Sequence, residues 1–219
     1  MKDELNALRS GAYWVAQGAI GTAIVGQTGT SFSATAALLT ISNARNPAAG
    51  LKAPDCIPDY IRLVCTAAGT GSTSVELALV LDTVERYSSG GTQLTAYQTN
   101  SAEDSTKLAG APALGVNVWA GAVTAGAASA ARLIGRAKAK TQAAPCLVVG
   151  DQFLITFGQV GIPISGLSSG SAASIYTVQF SPVLIAGRPT THTLVLHMWM
   201  PSNSGAPSFE VEVGGRFQL

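Results

Sequence analysis

The chain has 219 residues and a formal net charge of +1; 11% of its residues are charged and 47% are hydrophobic. A disordered chain would pair low hydrophobicity with high net charge, and a dedicated nucleic-acid-binding protein would carry clustered basic residues, so composition argues against both classes. The length suits a single β-sandwich or β-barrel domain that needs no metal ion or disulfide to stabilise it. A surface with so little net charge also favours self-association, as in subunits that assemble.

The first 30 residues differ in pattern from the rest. Four apolar residues recur there at helical spacing: Leu5, Leu8, Ala12 and Val15. This spacing predicts a short helix between Asp3 and Gln17. The glycines that follow, the first of which is Gly18, interrupt any regular element.

We interpret residues 1–30 as an N-terminal arm and residues 31–219 as one β-sandwich domain. Tyr13 and Trp14 are adjacent large aromatic residues in the arm, and Val15 follows them. An arm with such residues docks on its own domain or on a neighbouring molecule. These three residues are therefore the candidate interface.

From Ser31 onward the pattern predicts strands. The clearest signal is the alternation of apolar and polar residues over 74–82, which has the period of two that strands require. The predicted strands are 34–41, 60–67, 74–82, 93–98, 114–119, 132–140, 146–149, 152–157, 174–180, 193–200 and a last one around 209–213. Residues 88–91 predict a turn, and Gly150-Asp151 predicts a hairpin turn.

Two features of these strands bear on the fold. Basic residues at the even positions of 132–140 favour an amphipathic strand, although the alanines there also allow a helix. Residues 193–200 are apolar at successive positions, which indicates a strand covered on both faces. Because neither a βαβ rhythm nor an internal repeat is present, the sequence predicts an all-β, jelly-roll-like antiparallel β-sandwich.

The three cysteines, Cys56, Cys65 and Cys146, make an odd number and so do not indicate a disulfide framework. Cys65 and Cys146 lie in apolar runs, where a free cysteine is commonly buried. The acidic N-terminus is unlike a signal peptide, and no run of about 18 apolar residues is present. The sequence therefore predicts synthesis in a reducing cytoplasm and no membrane partner.

One serine motif deserves a test as a catalytic site. Residues 166–170 read Gly-Leu-Ser-Ser-Gly, which matches the G-x-S-x-G pattern of a hydrolase nucleophile elbow around Ser168. The elbow needs a helix after the serine, whereas the residues that follow predict a strand. A loop rich in glycine and serine is the favoured interpretation, and a small hydrolase is the enzymatic alternative.

The histidines and the acidic residues do not indicate a metal site or a catalytic pair more strongly than the serine motif indicates a hydrolase. His192 and His197 are five residues apart, so on one strand they would lie on opposite faces and could not share a metal ion. His197 is expected to be hydrogen-bonded and neutral between the sheet and its neighbour. The four acidic residues at same-face spacing are Glu76 with Asp82 and Glu210 with Glu212. Paired carboxylates can hydrolyse glycosides, but their alternation with apolar residues favours the polar face of a strand.

No phosphate-binding loop, dinucleotide-binding motif or Cys-x-x-Cys pair occurs in the sequence. The short basic stretch of Arg132, Arg136, Lys138 and Lys140 is interpreted as a solvated strand face rather than a nucleic-acid site. We therefore predict no catalytic residue, no metal site, no cofactor and no nucleic-acid partner.

Residues 60–100 combine a core strand, a loop rich in serine and glycine, a second core strand and the predicted turn at 86–91. This segment and residues 194–217 resemble structural proteins of tailed-bacteriophage virions, of the capsid cement or decoration type. Residues 194–217, which read LVLHMWMPSNSGAPSFEVEVGGRF, are similar to the closing strands of such proteins. The two segments cover about a third of the chain.

The resemblance implies a jelly-roll subunit, commonly a homotrimer, that binds the outside of a capsid lattice and stabilises it. Its partner would be the major capsid protein of the same virus, and its location the virion surface after synthesis in the host cytoplasm. Other virion parts, such as a head fibre, a tail protein or a coat subunit, stay open as alternatives. A glycan-binding adhesion module is a further alternative.

Overall fold

The computed structural model describes residues 13–19, 21–43, 54–98, 115–141, 145–158, 173–185 and 191–218. Within these ranges the chain forms strands and no helix, which confirms the predicted all-β class. The strands are β1 (Tyr13–Gln17), β2 (Ile24–Val25), β3 (Ala36–Asn43), β4 (Asp55–Ala67), β5 (Ser74–Asp82), β6 (Tyr87–Gln98), β7 (Val116–Ala125), β8 (Arg132–Thr141), β9 (Gln152–Phe157), β10 (Ala173–Val178), β11 (Thr193–Trp199) and β12 (Ser208–Gln218).

Backbone pairing joins the strands into one sheet in the order β10-β9-β4-β12-β1-β6-β7-β3-β11-β5-β8, with β2 beside β12. The sheet is nearly closed and barrel-like, and it is compatible with the β-sandwich or jelly-roll-like class. Strand β6 links the two halves of this barrel, because its last residues pair with β1 and its earlier residues with β7. We call strands β10, β9, β4, β12 and β1 the β4 side, and strands β7, β3, β11, β5 and β8 the β11 side.

One strand pair departs from the antiparallel pattern of the other pairs. Strands β9 and β10 are parallel, with Ala173 opposite Gln152 and Val178 opposite Phe157. Parallel neighbours require a crossover connection of a dozen or more residues, whereas antiparallel neighbours need only a tight turn.

The predicted helix between Asp3 and Gln17 is wrong over residues 13–17, the part of it that the structure describes. Residues 13–17 form strand β1, which pairs with β12 along one edge and with β6 along the other. Burial along β1 alternates with a period of two. Backbone pairing on both edges thus outweighs the local helical spacing, since tertiary context commonly overrides propensity. The part of 1–30 that the structure describes contributes strands β1 and β2 to the sheet, and residues 1–12 lie outside the described ranges.

Several predicted strands are confirmed with nearly the expected bounds. Strand β5 spans 74–82 and β9 spans 152–157, as predicted. Strand β11 is buried at every position, as its continuous apolar run indicated. Residues 132–141 form strand β8, which settles the ambiguity between strand and helix in that stretch.

The predicted turn at 88–91 is instead part of strand β6. Gly90 and Gly91 both have positive φ angles, of 74° and 68°. The register against β7 shifts twice here, between Tyr87 and Ser89 and between Gly90 and Thr92. Glycine accepts this left-handed backbone at no steric cost, so the pair makes bulges within a long strand rather than a turn.

Two further bounds differ from the prediction. Residues 146–149 form a loop rather than a strand, because the carboxylate of Asp151 accepts a hydrogen bond of 2.7 Å from the backbone amide of Val148 and holds a tight turn. Strand β10 ends at Val178 instead of residue 180, so Phe180 lies in the following bend and is exposed.

The interior of the barrel is filled by inward-facing side chains from both sides. Trp14, Phe153 and Phe209 are fully buried there, with aliphatic residues from β3, β4, β7 and β11. All three cysteines are free and buried, which confirms the prediction for Cys65 and Cys146. A smaller apolar cluster around Val195 lies on the outer face of the β11 side.

Strand β12 carries Gly214 and Gly215 where a register shift against β4 occurs. A Cβ atom on Gly214 would overlap the ring of Tyr60. A Cβ atom on Gly215 would lie 2.5 Å from the carbonyl oxygen of Ile57 and 2.7 Å from Cζ2 of Trp14. The two glycines therefore let aromatic rings pack on opposite faces of the strand.

We expect Gly215→Ala to destabilise the protein by roughly 1–3 kcal/mol, the usual cost of overpacking, because a backbone carbonyl and a buried indole cannot both move away. Gly29→Ala is the matched control, since its Cβ would meet only ordinary contact at 3.5 Å. Urea denaturation of both variants measures the difference. Equal midpoints for the two variants would contradict the packing argument.

Candidate functional site

The three residues predicted as an interface lie on one strand but on two faces. Trp14 is fully buried in the core of its own domain. Tyr13 and Val15 are half-buried on the opposite, outer face of β1, where Val15 lies beside Tyr97 of β6. Of the two alternatives that the sequence left open, Trp14 thus packs on its own domain, and its side chain is not accessible to another molecule.

A surface that the sequence reasoning missed lies at the edge of the β4 side. We call it the apolar edge and define it as Ile175, Phe180, Val183 and Ile185. Their side chains are between 40% and 59% exposed. The segment from 173 to 185 contains no charged residue.

Backbone contacts place the apolar edge along one border of the barrel. Strand β10 carries Ile175 and pairs with β9. The segment that follows passes the end of β9 and bridges to the start of β4, where Leu184 pairs with Cys56. Since Leu184 is buried, Val183 and Ile185 on either side of it point outward. The four exposed side chains thus lie along one chain segment at this border of the barrel.

Large apolar side chains in contiguous, exposed groups mark interaction surfaces, whereas isolated ones are normal on any protein. Among the described residues, Leu133 on β8 is 62% exposed but is accompanied by basic neighbours on its strand. The signal for the apolar edge was present in the sequence as an uncharged run. Because the predicted strand 174–180 includes Phe180, the exposure of this side chain in a bend was not predicted.

The opposite border of the sheet, β8, is basic. Arg136 and Lys138 are largely exposed and lie 3.6 Å and 3.8 Å from the carboxylate oxygens of Glu76. The guanidinium of Arg136 also lies over the ring of Trp199. Charged side chains on an edge strand prevent pairing with another chain. The β10 border of the sheet is therefore apolar, whereas the β8 border is basic.

A buried ion pair closes one end of the β11 side. Arg86 is 1% exposed, and its Nη1 atom donates to Asp82 Oδ2 at 3.0 Å. Its Nε and Nη2 atoms donate to the carbonyl oxygens of Gly126 and Ala34 at 2.9 Å and 3.0 Å. One side chain thus ties together the loops that precede β3, β6 and β8.

Backbone groups complete the coordination of Asp82. Its carboxylate accepts hydrogen bonds from the amides of Thr83, Ser129 and Ala130, at 2.7 Å, 3.2 Å and 3.0 Å. Burial by itself raises the pKa of Asp82, but these amides and Arg86 favour the charged form and together hold the pKa below its usual range. Asp82 is therefore a buried structural residue, whereas its same-face spacing from Glu76 favoured the solvated polar face of a strand.

His197 lies on the outer face of the same side and is buried. Its Nδ1 atom donates to the carbonyl oxygen of Ala36 at 2.8 Å, and the ring of Phe32 covers it at 5.1 Å. Burial, together with the nearby charge of Arg86, lowers the pKa of His197 although the bond to Ala36 opposes this. The predicted hydrogen-bonded, neutral histidine is consistent with this arrangement.

A cleft of about 120 Å³ opens on the outer face of the β4 side, and we call it the polar cleft. The side chains that define it are Gln17, Thr22, Arg62, Val64, Glu210 and Glu212. In the sheet register, Glu212 of β12 lies directly opposite Gln17 of β1 and Arg62 of β4. Directly opposite residues share a face, so these three side chains form a row across three strands.

Tyr60 fixes one carboxylate of the polar cleft. Its hydroxyl donates to Glu212 Oε1 at 2.7 Å. Burial, and then the hydrogen bond to Glu212 and its charge, raises the pKa of Tyr60, so the phenol is a neutral donor. Arg62 Nη2 contacts Gln152 Oε1 at 3.4 Å on the other flank. The same-face spacing of Glu210 and Glu212 predicted their shared face, but no sequence signal indicated Arg62 or Gln17.

The motif around Ser168, on which the alternative of a small hydrolase depends, falls in 159–172 and lies outside the described residues. Within the described ranges, no group of three or more histidine, cysteine or acidic side chains could hold a metal ion. The same part of the chain contains no helix long and apolar enough to cross a membrane.

Comparisons with known proteins give no assignment. No protein-family profile matches the chain, and neither a curated protein nor a solved structure is significantly similar to it.

Proposed function

We propose that this chain is a structural, non-enzymatic virion protein that binds the outer capsid lattice of a tailed bacteriophage and stabilises it, as a cement or decoration protein. The observation that carries the proposal is the apolar edge, which presents four exposed hydrophobic side chains in a segment without charge. The cores of protein interfaces are depleted in charged residues and enriched in apolar ones.

The low charge of the whole chain supports the same function. A charge-poor surface can be buried against a lattice without leaving an unpaired charge in the interface. A homotrimer would present three apolar edges to neighbouring capsid subunits. Several weak contacts then act together, because attachment at one raises the effective concentration at the next. The major capsid protein of the same virus is the proposed partner.

The test is cosedimentation of the purified protein with expanded capsids assembled from that major capsid protein. We expect a variant carrying Phe180→Ser, Val183→Ser and Ile185→Ser to bind at least about tenfold more weakly, since each 1.4 kcal/mol of lost contact energy costs a factor of ten. Val25→Ser is the matched control, because it removes an apolar side chain that is 56% exposed on β2, a strand that pairs with β12 and not with β9 or β10. It should bind as the unaltered protein does.

Light scattering before the binding experiment should give three times the 22.2 kDa mass of one chain for the unaltered protein and for both variants. This shows that any loss of binding does not come from dissociation. Equal binding by the triple variant and the control would overturn the role of the apolar edge. An unaltered protein that does not sediment with capsids would overturn the proposed function itself.

A further inference from the structure

We propose that the polar cleft binds a carbohydrate through a pair of neighbouring sugar hydroxyl groups. The inference goes beyond the proposed function, since the cleft opens on the outer face of the β4 side and contains none of the four residues of the apolar edge. It rests on the register of β1, β12 and β4 and on the hydrogen-bonding chemistry of the side chains that line the cleft.

The row of Gln17, Glu212 and Arg62 presents an amide, a carboxylate and a guanidinium in sequence across three strands. Glu210 is two residues from Glu212 on the same strand and therefore lies on the same face. Thr22 adds a hydroxyl group at the border of the cleft. Donors and acceptors from three strands and from Thr22 thus line one cleft.

The mixture of charges decides which ligand class fits. A cation would be attracted by Glu210 and Glu212 but repelled by Arg62, and an anion would meet the reverse. A sugar hydroxyl donates one hydrogen bond and accepts others, so it can satisfy a carboxylate and a guanidinium at the same time. Hydrogen bonds to charged partners are stronger than those between neutral groups, so a sugar hydroxyl gains from both the carboxylates and the guanidinium.

The shape and rigidity of the cleft agree with this ligand. A volume of about 120 Å³ holds several water molecules, and hence the hydroxyl-bearing edge of one sugar ring. Val64 supplies an apolar wall for the carbon atoms of that ring. The bond from Tyr60 holds Glu212 in place before any ligand arrives, which lowers the entropic cost of binding.

The test is saturation-transfer-difference NMR of the full chain with glucose, galactose, mannose and N-acetylglucosamine as separate probes. We expect saturable binding of at least one sugar, with a dissociation constant on the order of 1 mM. Arg62→Met and Glu210→Gln should each weaken that binding at least about fivefold. Glu210 is exposed and Arg62 half-exposed, so both variants should fold, and unchanged near-ultraviolet circular dichroism would show it.

Glu76→Gln is the control, because Glu76 is also a strand carboxylate beside basic side chains but lies on the β11 side. It should leave sugar binding unchanged. The proposal is overturned if none of the four sugars binds, if binding survives both cleft variants, or if guanidinium chloride binds and the sugars do not. Capsid binding by the cleft variants would persist in each case, which separates this result from a failure of the proposed function.

Discussion

Deletion of residues 1–30 is expected to prevent folding of the remaining chain. Strand β1 lies between β12 and β6, so its removal leaves an open gap in the sheet. Loss of the buried Trp14 side chain alone costs about 3–5 kcal/mol. The backbone bonds on both edges of β1, and the packing of Ile24 in β2, are lost as well. Their sum approaches the roughly 5–15 kcal/mol that keeps a whole domain folded.

Near-ultraviolet circular dichroism and size-exclusion chromatography measure this outcome. The control is a deletion of residues 1–12, which leaves strand β1 complete and should preserve a cooperative unfolding transition. A folded, monodisperse protein that lacks residues 1–30 would show that the sheet closes without β1. That result would restore the interpretation of this segment as a separate arm.

Arg86→Met is expected to destabilise the protein by about 3–5 kcal/mol, the usual cost of removing one partner of a buried ion pair. The substitution leaves the carboxylate of Asp82 without its countercharge and removes the donors to the carbonyl oxygens of Gly126 and Ala34. The pKa of Asp82 lies below its usual range, so the carboxylate is charged at neutral pH. Loss of its countercharge therefore destabilises the variant at neutral pH. This contribution to stability is lost only as the pH falls through that lowered pKa.

Chemical denaturation at neutral pH gives the magnitude. Arg136→Met is the matched control, because Arg136 forms an ion pair with Glu76 at 3.6 Å but is 65% exposed. We expect it to cost less than about 1 kcal/mol, as exposed ion pairs usually do. Similar losses for the two variants would contradict a structural role for the buried pair. The double variant Arg86→Met with Asp82→Asn should lose less free energy of unfolding than the sum of the losses in the two single variants, because the two side chains interact directly.

The proposed sites differ in how far local sequence could predict them. The shared face of Glu210 and Glu212 follows from a spacing of two on a strand, and it was predicted correctly. Their neighbours Gln17 and Arg62 lie far away in the chain and reach the cleft only through the pairing of β1, β12 and β4. The register between strands that are distant in sequence depends on how the whole sheet packs, so it cannot be predicted from neighbouring residues alone.

The buried pair shows the same limit at shorter range. The sequence predicts Asp82 at the end of a strand and Arg86 at the start of a turn, so no local pattern pairs the two residues. Their ion pair depends on loops that precede β3 and β8, which donate and accept the remaining hydrogen bonds. Only the folded chain brings those loops together.

The sequence by itself determined the all-β class, the bounds of β5 and β9, and the two-sided burial of β11, because alternation and continuous apolar runs are local consequences of how a strand buries its faces. The tertiary structure alone decided that β1 is a central strand, that Gly90 and Gly91 form bulges rather than a turn, and that β9 and β10 are parallel. Each of these depends on a partner strand distant in sequence. The pairing energy of that partner outweighs the local preference for a helix, a turn or a hairpin.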